Sequence, residues 1–186
     1  MTATTQPSGQ RRFTRTAPYA PTPYQCTDAA RLLAESTIGS TPAVTCVIGI
    51  ASGGIRPATV VADYLQVPLH TVTARHNTSD APWQQATGEV EVLLPERLPD
   101  RFEGRILLVD DIAGSGATFT AVTRALTGRL TDGAVVETLA LCRNQGCTDA
   151  PARWIWTVDD WVVFPSEQAH AGDTRVLPPV RRVMTP

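Results

Sequence analysis

Two adjacent carboxylates, Asp110 and Asp111, stand between an apolar run, Ile106 to Val109, and a stretch without bulk, Ala113-Gly114-Ser115-Gly116-Ala117-Thr118. Neighbouring carboxylates can hold hydroxyl groups or a hard cation through oxygen. A loop of small residues lets backbone N–H groups close around an anion where a helix begins. Ser115 and Thr118 add hydroxyl donors at no steric cost. Hydroxyls beside an anion describe a sugar phosphate, and that is the ligand chemistry this order of residues suits.

Such groups work only if a scaffold holds them together. The run Ile106 to Val109 is apolar at every position, as in a parallel strand buried on both faces, and open α/β sheets bind ligands at the carboxyl ends of their strands. The rest of the chain supports such a sheet. A helix is expected from Thr27 or Asp28, burying Ala29, Leu32 and Leu33. Ala43 to Ile50 reads as a first strand. A helix with Pro57 in its first turn follows to about Leu65, with Val60, Val61, Tyr64 and Leu65 on one face. Leu69 to Ala74 is the next strand. After a polar stretch from His76 to Arg105, with an alternating segment at Val90 to Leu94 suited to a hairpin arm, come the strand Ile106 to Val109, a helix from Thr118 to Leu130, and strands Val135 to Cys142 and Trp154 to Val158. Strands alternating with helices make a parallel sheet with crossover helices.

The composition narrows the function. The chain has 186 residues, enough for one well-buried core, and a net charge of −2, which gives no reason to expect nucleic acid or a membrane surface as partner. All 16 basic residues are Arg. This excludes a Walker-type phosphate loop and a Schiff-base lysine, and leaves arginines and backbone amides to clamp an anion. Cys26, Cys46, Cys142 and Cys147 are too dispersed for a zinc site and fit reduced thiols in the cytoplasm. Gln10-Arg11-Arg12 is followed by Pro-rich sequence instead of an apolar core, so no export segment is expected.

The segment Asp110 to Thr118 closely resembles the diphosphoribosyl-binding signature of type I phosphoribosyltransferases. Gly49-Ile50-Ala51-Ser52-Gly53-Gly54 is similar to that family's pyrophosphate loop, Arg75 to a basic residue after its second strand, and Trp161-Val-Val-Phe164-Pro165-Ser166-Glu167 to the hood segment of its hypoxanthine, guanine and xanthine enzymes. The resemblance implies an α/β fold, a Rossmann-like parallel-sheet core with a small hood, in which residues 1–24 form a flexible or loosely docked arm, 25–170 the catalytic domain and 171–186 a tail. It implies Mg²⁺-dependent transfer of a phosphoribosyl group from phosphoribosyl diphosphate to a purine-like nucleobase or related heterocycle. The alternatives are a specialised-metabolite acceptor and a non-catalytic regulator. Members are often dimers, so a homodimer is the expected assembly.

The resemblance also distributes roles. Asp110 and Asp111 would hold the ribose hydroxyls, directly or through Mg²⁺, and Ala113, Gly114, Ser115, Gly116, Ala117 and Thr118 would bind the 5-phosphate. Ser52, Gly53 and Gly54 would face pyrophosphate, with a non-proline cis peptide at Ser52-Gly53. Ser52 stands where relatives often carry Lys or Arg, which shifts the leaving-group charge onto Mg²⁺, Arg75 and Arg56. Arg143 would contact an exocyclic oxygen, Trp161 or Phe164 would stack on the ring, and Glu167 would hold a metal-bound water. Two positions depart from the 6-oxopurine pattern: Ser166 replaces a Trp, and Gly114 replaces the Asp that handles the purine N7 proton. That duty would fall to His76, Asp80, Glu89 or His170, or the acceptor needs no base.

Overall fold

The computed structural model describes residues 10–75, 85, 90–167 and 171–186. Its centre is a six-stranded sheet in the order β3-β2-β1-β4-β5-β6, built from β1 (Val44–Ala51), β2 (Leu69–Arg75), β3 (Glu91–Leu93), β4 (Arg105–Ala113), β5 (Val135–Asn144) and β6 (Arg153–Val158). All neighbours are parallel except β2 and β3, whose antiparallel pairing makes the expected hairpin arm. The segments 76–84, 86–89 and 168–170 fall outside the described residues, and with them the candidate bases His76, Asp80, Glu89 and His170.

The apolar runs are continuous because successive side chains feed two cores. Val47, Leu107, Val109 and Leu139 pack with Leu33 and Val61 of α1 (Pro23–Glu35) and α2 (Ile55–Leu65). Ile48, Ile50, Ile106 and Leu108 pack on the other face with Phe119, Val122 and Leu126 of α3 (Ala117–Leu126). Each such side chain stabilises the fold by about 1.5 to 3 kcal/mol.

Several boundaries differ from expectation for local reasons. Helix α1 starts at Pro23, ahead of Thr27, because Thr22 and Gln25 form a capping box around Pro23 at the first helical position. Its buried residues are Ala29, Ala30, Leu33 and Ala34, with Leu32 only half-buried. In α2 the buried face is Pro57, Ala58, Val61 and Ala62, and Tyr64 is exposed. Ala58 faces inward because a Cβ at Gly49 would stand 2.8 Å from its own Cβ, a contact that glycine at 49 avoids. Helix α3 ends at Leu126, and Thr127–Arg129 is a single 3₁₀ turn.

The most consequential difference is the length of β4. Its pairing with β1 stops at Gly49↔Val109, but its pairing with β5 continues to Ala113↔Arg143. Asp110 and Asp111 therefore belong to the strand while having left β1 behind. They open onto the gap where the chain turns from β1 into α2.

The N-terminal segment differs too. From Gln10 onward it is seated on the hood: Thr14 N–H donates to the Asp159 carbonyl at 3.1 Å, and Tyr19 bridges both Val162 and Arg175. The tail is tied back by a Trp154–Met184 bridge. Pattern alone could not show this docking, because its hydrogen bonds reach across more than a hundred residues.

Candidate active site

The loop from β1 into α2 lies directly on the end of β4, and glycine makes that possible. A Cβ at Gly54 would stand 2.5 Å from the Val109 carbonyl oxygen and 2.9 Å from the Asp110 Cα. A Cβ at Gly53 would overlap the Asp111 carboxylate. Asp111 thus rests on bare backbone beside Ser52. The peptide Ala51-Ser52 is cis, one bond before the position expected from the resemblance.

The two carboxyls are electrostatically unfavourable neighbours. The Asp111 N–H donates to Asp110 Oδ1 at 3.0 Å. Among the described residues neither carboxylate closes an ion pair. Burial, and then the charge of Asp111, raises the Asp110 carboxyl well above its usual range. Burial, and then Glu167, pushes Asp111 up to about 6, with Arg11 acting in the opposite sense. Such a pair can receive positive charge or hydroxyl donors. Among the described residues no three His, Cys, Asp or Glu side chains cluster as a metal cage. Two carboxylates alone suit Mg²⁺, which keeps waters or takes substrate oxygens for its remaining ligands.

Next along the chain is the small-residue loop. Gly116 has φ +93°, and a Cβ there would run into the backbone of Asp149, so the fold itself requires glycine at this point. Ser115 is buried, and its Oγ accepts from Ala117 N–H at 3.3 Å. Ala113 and Gly114 are buried beside it, and Thr118 lies half-buried in the first turn of α3. The N–H groups at the start of that helix favour an anion.

Other expected site residues divide into two groups. A cavity joins Gly53 and Asp111 to Arg56, Phe164, Pro165 and Ser166. Glu167 folds back so that its carboxylate accepts from Phe164 N–H at 3.1 Å, and it is near enough to Asp111 to raise that carboxyl. Phe164 is only 5% exposed and packs in the α1/α2 core, whereas Trp161 keeps a half-exposed ring. Of the two, Trp161 is the less buried, with Phe13 6.1 Å and Arg11 5.9 Å from its ring centroid. Arg143 is drawn elsewhere: its guanidinium lies 5.1 Å from the Trp154 ring centroid and donates to the Cys147 carbonyl at 2.9 Å. Arg75 is an exposed strand end standing opposite Glu91, two positions beyond the Thr73↔Ala51 pair.

One residue at the site carries no motif. Arg11 lies on Gly114, where a Cβ would overlap its guanidinium, and 5.9 Å from the Trp161 ring centroid. Burial lowers its pKa, and Asp111, Asp110 and Glu167 offset this. The only hint in the sequence is Gly114 itself, a position emptied of the side chain that relatives place there.

Comparison with known proteins agrees with this geometry. A family model described as phosphoribosyl transferase domain matches residues 25–171. No curated protein sequence matches. Among solved structures, a purine phosphoribosyltransferase from Pyrococcus horikoshii superimposes with a TM-score of 0.69 at 20% identity, covering 86% of this chain and 100% of that one. A hypothetical protein from Neisseria gonorrhoeae with bound ppGpp gives 0.59 at 22% identity over 81% and 90%. The Helicobacter pylori xanthine-guanine-hypoxanthine phosphoribosyltransferase gives 0.55 at 14% identity over 76% and 85%. At these identities the structures establish a shared fold.

Proposed function

Since the chain belongs to the phosphoribosyl transferase domain family, whose enzymes move a 5-phosphoribosyl group from phosphoribosyl diphosphate to a nucleobase, we propose Mg²⁺-dependent transfer to a purine-like or related heterocycle at the Asp110–Asp111 end of the sheet. The observation that carries this reading is the uncompensated carboxylate pair, set between the Gly53–Gly54 turn and the loop that opens α3.

The reaction breaks the bond from the sugar's anomeric carbon to pyrophosphate, through a transition state with positive charge on the sugar. Holding the ring still and stabilising the departing anion are therefore the enzyme's main tasks. Asp110 and Asp111 take the ribose hydroxyls. The N–H groups of Gly114 to Thr118 take the 5-phosphate. Ser52 to Gly54 offer backbone to the pyrophosphate, and Arg75 and Arg56 supply positive charge near it. Asp110 and Asp111 would hold Mg²⁺, which would supply charge neutralisation for the diphosphate. Trp161 offers a stacking face for the acceptor.

A second reading, a specialised acceptor, is favoured by Arg11 lying on Gly114. We propose a cytoplasmic location, which the four free cysteines support. No described helix is long and apolar enough to cross a membrane. Pyrophosphate release on mixing the protein with phosphoribosyl diphosphate, Mg²⁺ and a panel of heterocycles tests the proposal. Release that depends on the acceptor supports it, and the absence of both release and diphosphate binding overturns it.

A further inference from the structure

Arg11 is held too firmly to be an incidental neighbour. Two glycines make its seat: a Cβ at Gly114 would overlap the guanidinium, and a Cβ at Gly146 would overlap the Gln10 carbonyl and come 3.0 Å from Arg12 N. Asn144, fully buried, acts as a strand edge for the arm. Its Oδ1 accepts from Arg12 N–H at 2.7 Å and from Gly146 N–H at 2.9 Å, while its Nδ2 donates to the Arg12 carbonyl at 3.0 Å. The backbone of Arg11 is closed by Gln85, whose Oε1 accepts from its N–H at 2.9 Å and whose Nε2 donates to its carbonyl at 2.6 Å. Thr14 Oγ1 then donates to buried Asp160 at 2.7 Å.

The guanidinium at the centre of this seat is unfinished. Its Nε is buried with no hydrogen-bond partner, and none of the described carboxylates closes an ion pair with it. Unsatisfied buried donors are costly, and an arginine fork is matched by a planar oxyanion. Among the described residues, the Trp161 ring lies 5.9 Å from the guanidinium. Arg11 and the Trp161 ring therefore stand together at the end of β4, with the guanidinium in the room that glycine leaves at position 114.

We propose that Arg11 binds the acceptor, and that the acceptor is an anionic heterocycle that stacks on Trp161 and gives an oxyanion to the Arg11 fork. This rests on the phosphoribosyl-transfer reading of the same site. A guanidinium only donates and keeps its proton, so Arg11 cannot act as a base. An acceptor whose attacking ring nitrogen already carries a free electron pair, as in nicotinate, needs none. Its ring-nitrogen electron pair forms the bond to the anomeric carbon as the bond from that carbon to the pyrophosphate oxygen breaks. The electron pair of the broken bond leaves with pyrophosphate, and where the attacking nitrogen starts protonated, as in orotate, the departing pyrophosphate takes up that proton.

The test uses the full chain and its Arg11→Gln and Arg11→Lys variants, with phosphoribosyl diphosphate, Mg²⁺ and two sets of acceptors. The neutral set is adenine, hypoxanthine and guanine, and the anionic set is orotate, nicotinate and imidazole-4-carboxylate. The expected result is preference for an anionic acceptor. Arg11→Gln should raise its KM roughly ten- to a hundredfold, the range for a hydrogen bond to a charged group, and leave the KM for the diphosphate within about twofold. Arg11→Lys should show a smaller rise, and it serves as the test if Arg11→Gln does not fold. A neutral purine as best acceptor, an unchanged acceptor KM in both variants, or diphosphate binding with no turnover of either set would overturn the assignment of Arg11 and leave the diphosphate site standing. Failure of the wild type to bind the diphosphate with Mg²⁺ would overturn both.

Discussion

Strands β4 and β5 carry two acidic sites, one at each end, and the fold treats them in opposite ways. At the amino-terminal edge Glu137 is clamped by Arg105 and Arg153, each at 2.5 Å, and only 7% of its side chain is exposed. Arg105 is fixed in turn by the carbonyls of Thr41 and Pro42. At the carboxyl-terminal edge of the same β4, Asp110 and Asp111 have no ion pair among the described residues, and both carboxyls are raised. Glu137, neutralised by two arginines, belongs to the scaffold, whereas on the proposed function the Asp110–Asp111 pair, without an ion pair among the described residues, is completed by charge that a ligand brings. Glu137 is buried and Asp110 and Asp111 are half-buried, and the arginine partners are what set the two sites apart.

The comparison predicts mirror-image variants. Glu137→Ala leaves two arginines without their shared acceptor and should cost about 3 to 5 kcal/mol of stability. Thermal melting should show this as a drop of about 2 to 4 °C for each kcal/mol, while the folded fraction keeps wild-type KM values. Asp110→Asn with Asp111→Asn should do the reverse. Turnover should fall roughly 10²-fold to 10³-fold, about 3 to 4 kcal/mol of transition-state stabilisation, and near-wild-type pyrophosphate release would break the comparison.

The same double variant should be more stable than wild type at neutral pH. A folded-state pKa of about 6 against an ordinary 3.8 means that the native protein binds protons more tightly than the unfolded chain. The stability penalty of Asp111 is therefore full above about pH 6, shrinks as pH falls through 6, and is absent below 3.8. Removing the charges should stabilise by roughly 1 to 3 kcal/mol at pH 7 and by little at pH 4. A melting temperature gain that is equal at both pH values would contradict this origin. The smallest effect lies away from both ends of the sheet: Thr22→Ala removes the α1 cap and should cost about 1 kcal/mol, without a change in either KM.

How far the sequence disclosed the molecule follows the same division between local and distant partners. The two-faced apolar runs of β1 and β4, the Asp pair and the loop after it are consecutive residues, so their environment could be read from the pattern. The extension of β4 to Ala113 could not, because it depends on β5 continuing where β1 stops. The seat of Arg11 is the extreme case: its supports, Gln85, Gly114, Asn144 and Gly146, lie 74 or more positions away, and none forms a motif with Gln10-Arg11-Arg12. Arg143 is the opposite case, with near partners on one side and a buried Nε without one. Its place at the end of β5 suits a ligand contact, but Trp154 and the Cys147 carbonyl supply nearer partners.

On the proposed function, phosphoribosyl diphosphate and Mg²⁺ complete the charge of Asp110 and Asp111. Calorimetric titration of phosphoribosyl diphosphate into wild-type protein with Mg²⁺, between pH 5 and pH 8 on the order-of-magnitude window set by these carboxyls, tests it most directly. Affinity should be highest at the upper end, weaken as Asp111 takes up its proton near pH 6, and be lost or made independent of pH in the Asp110→Asn, Asp111→Asn double variant. Equally tight, equally pH-dependent binding by that double variant would contradict the account.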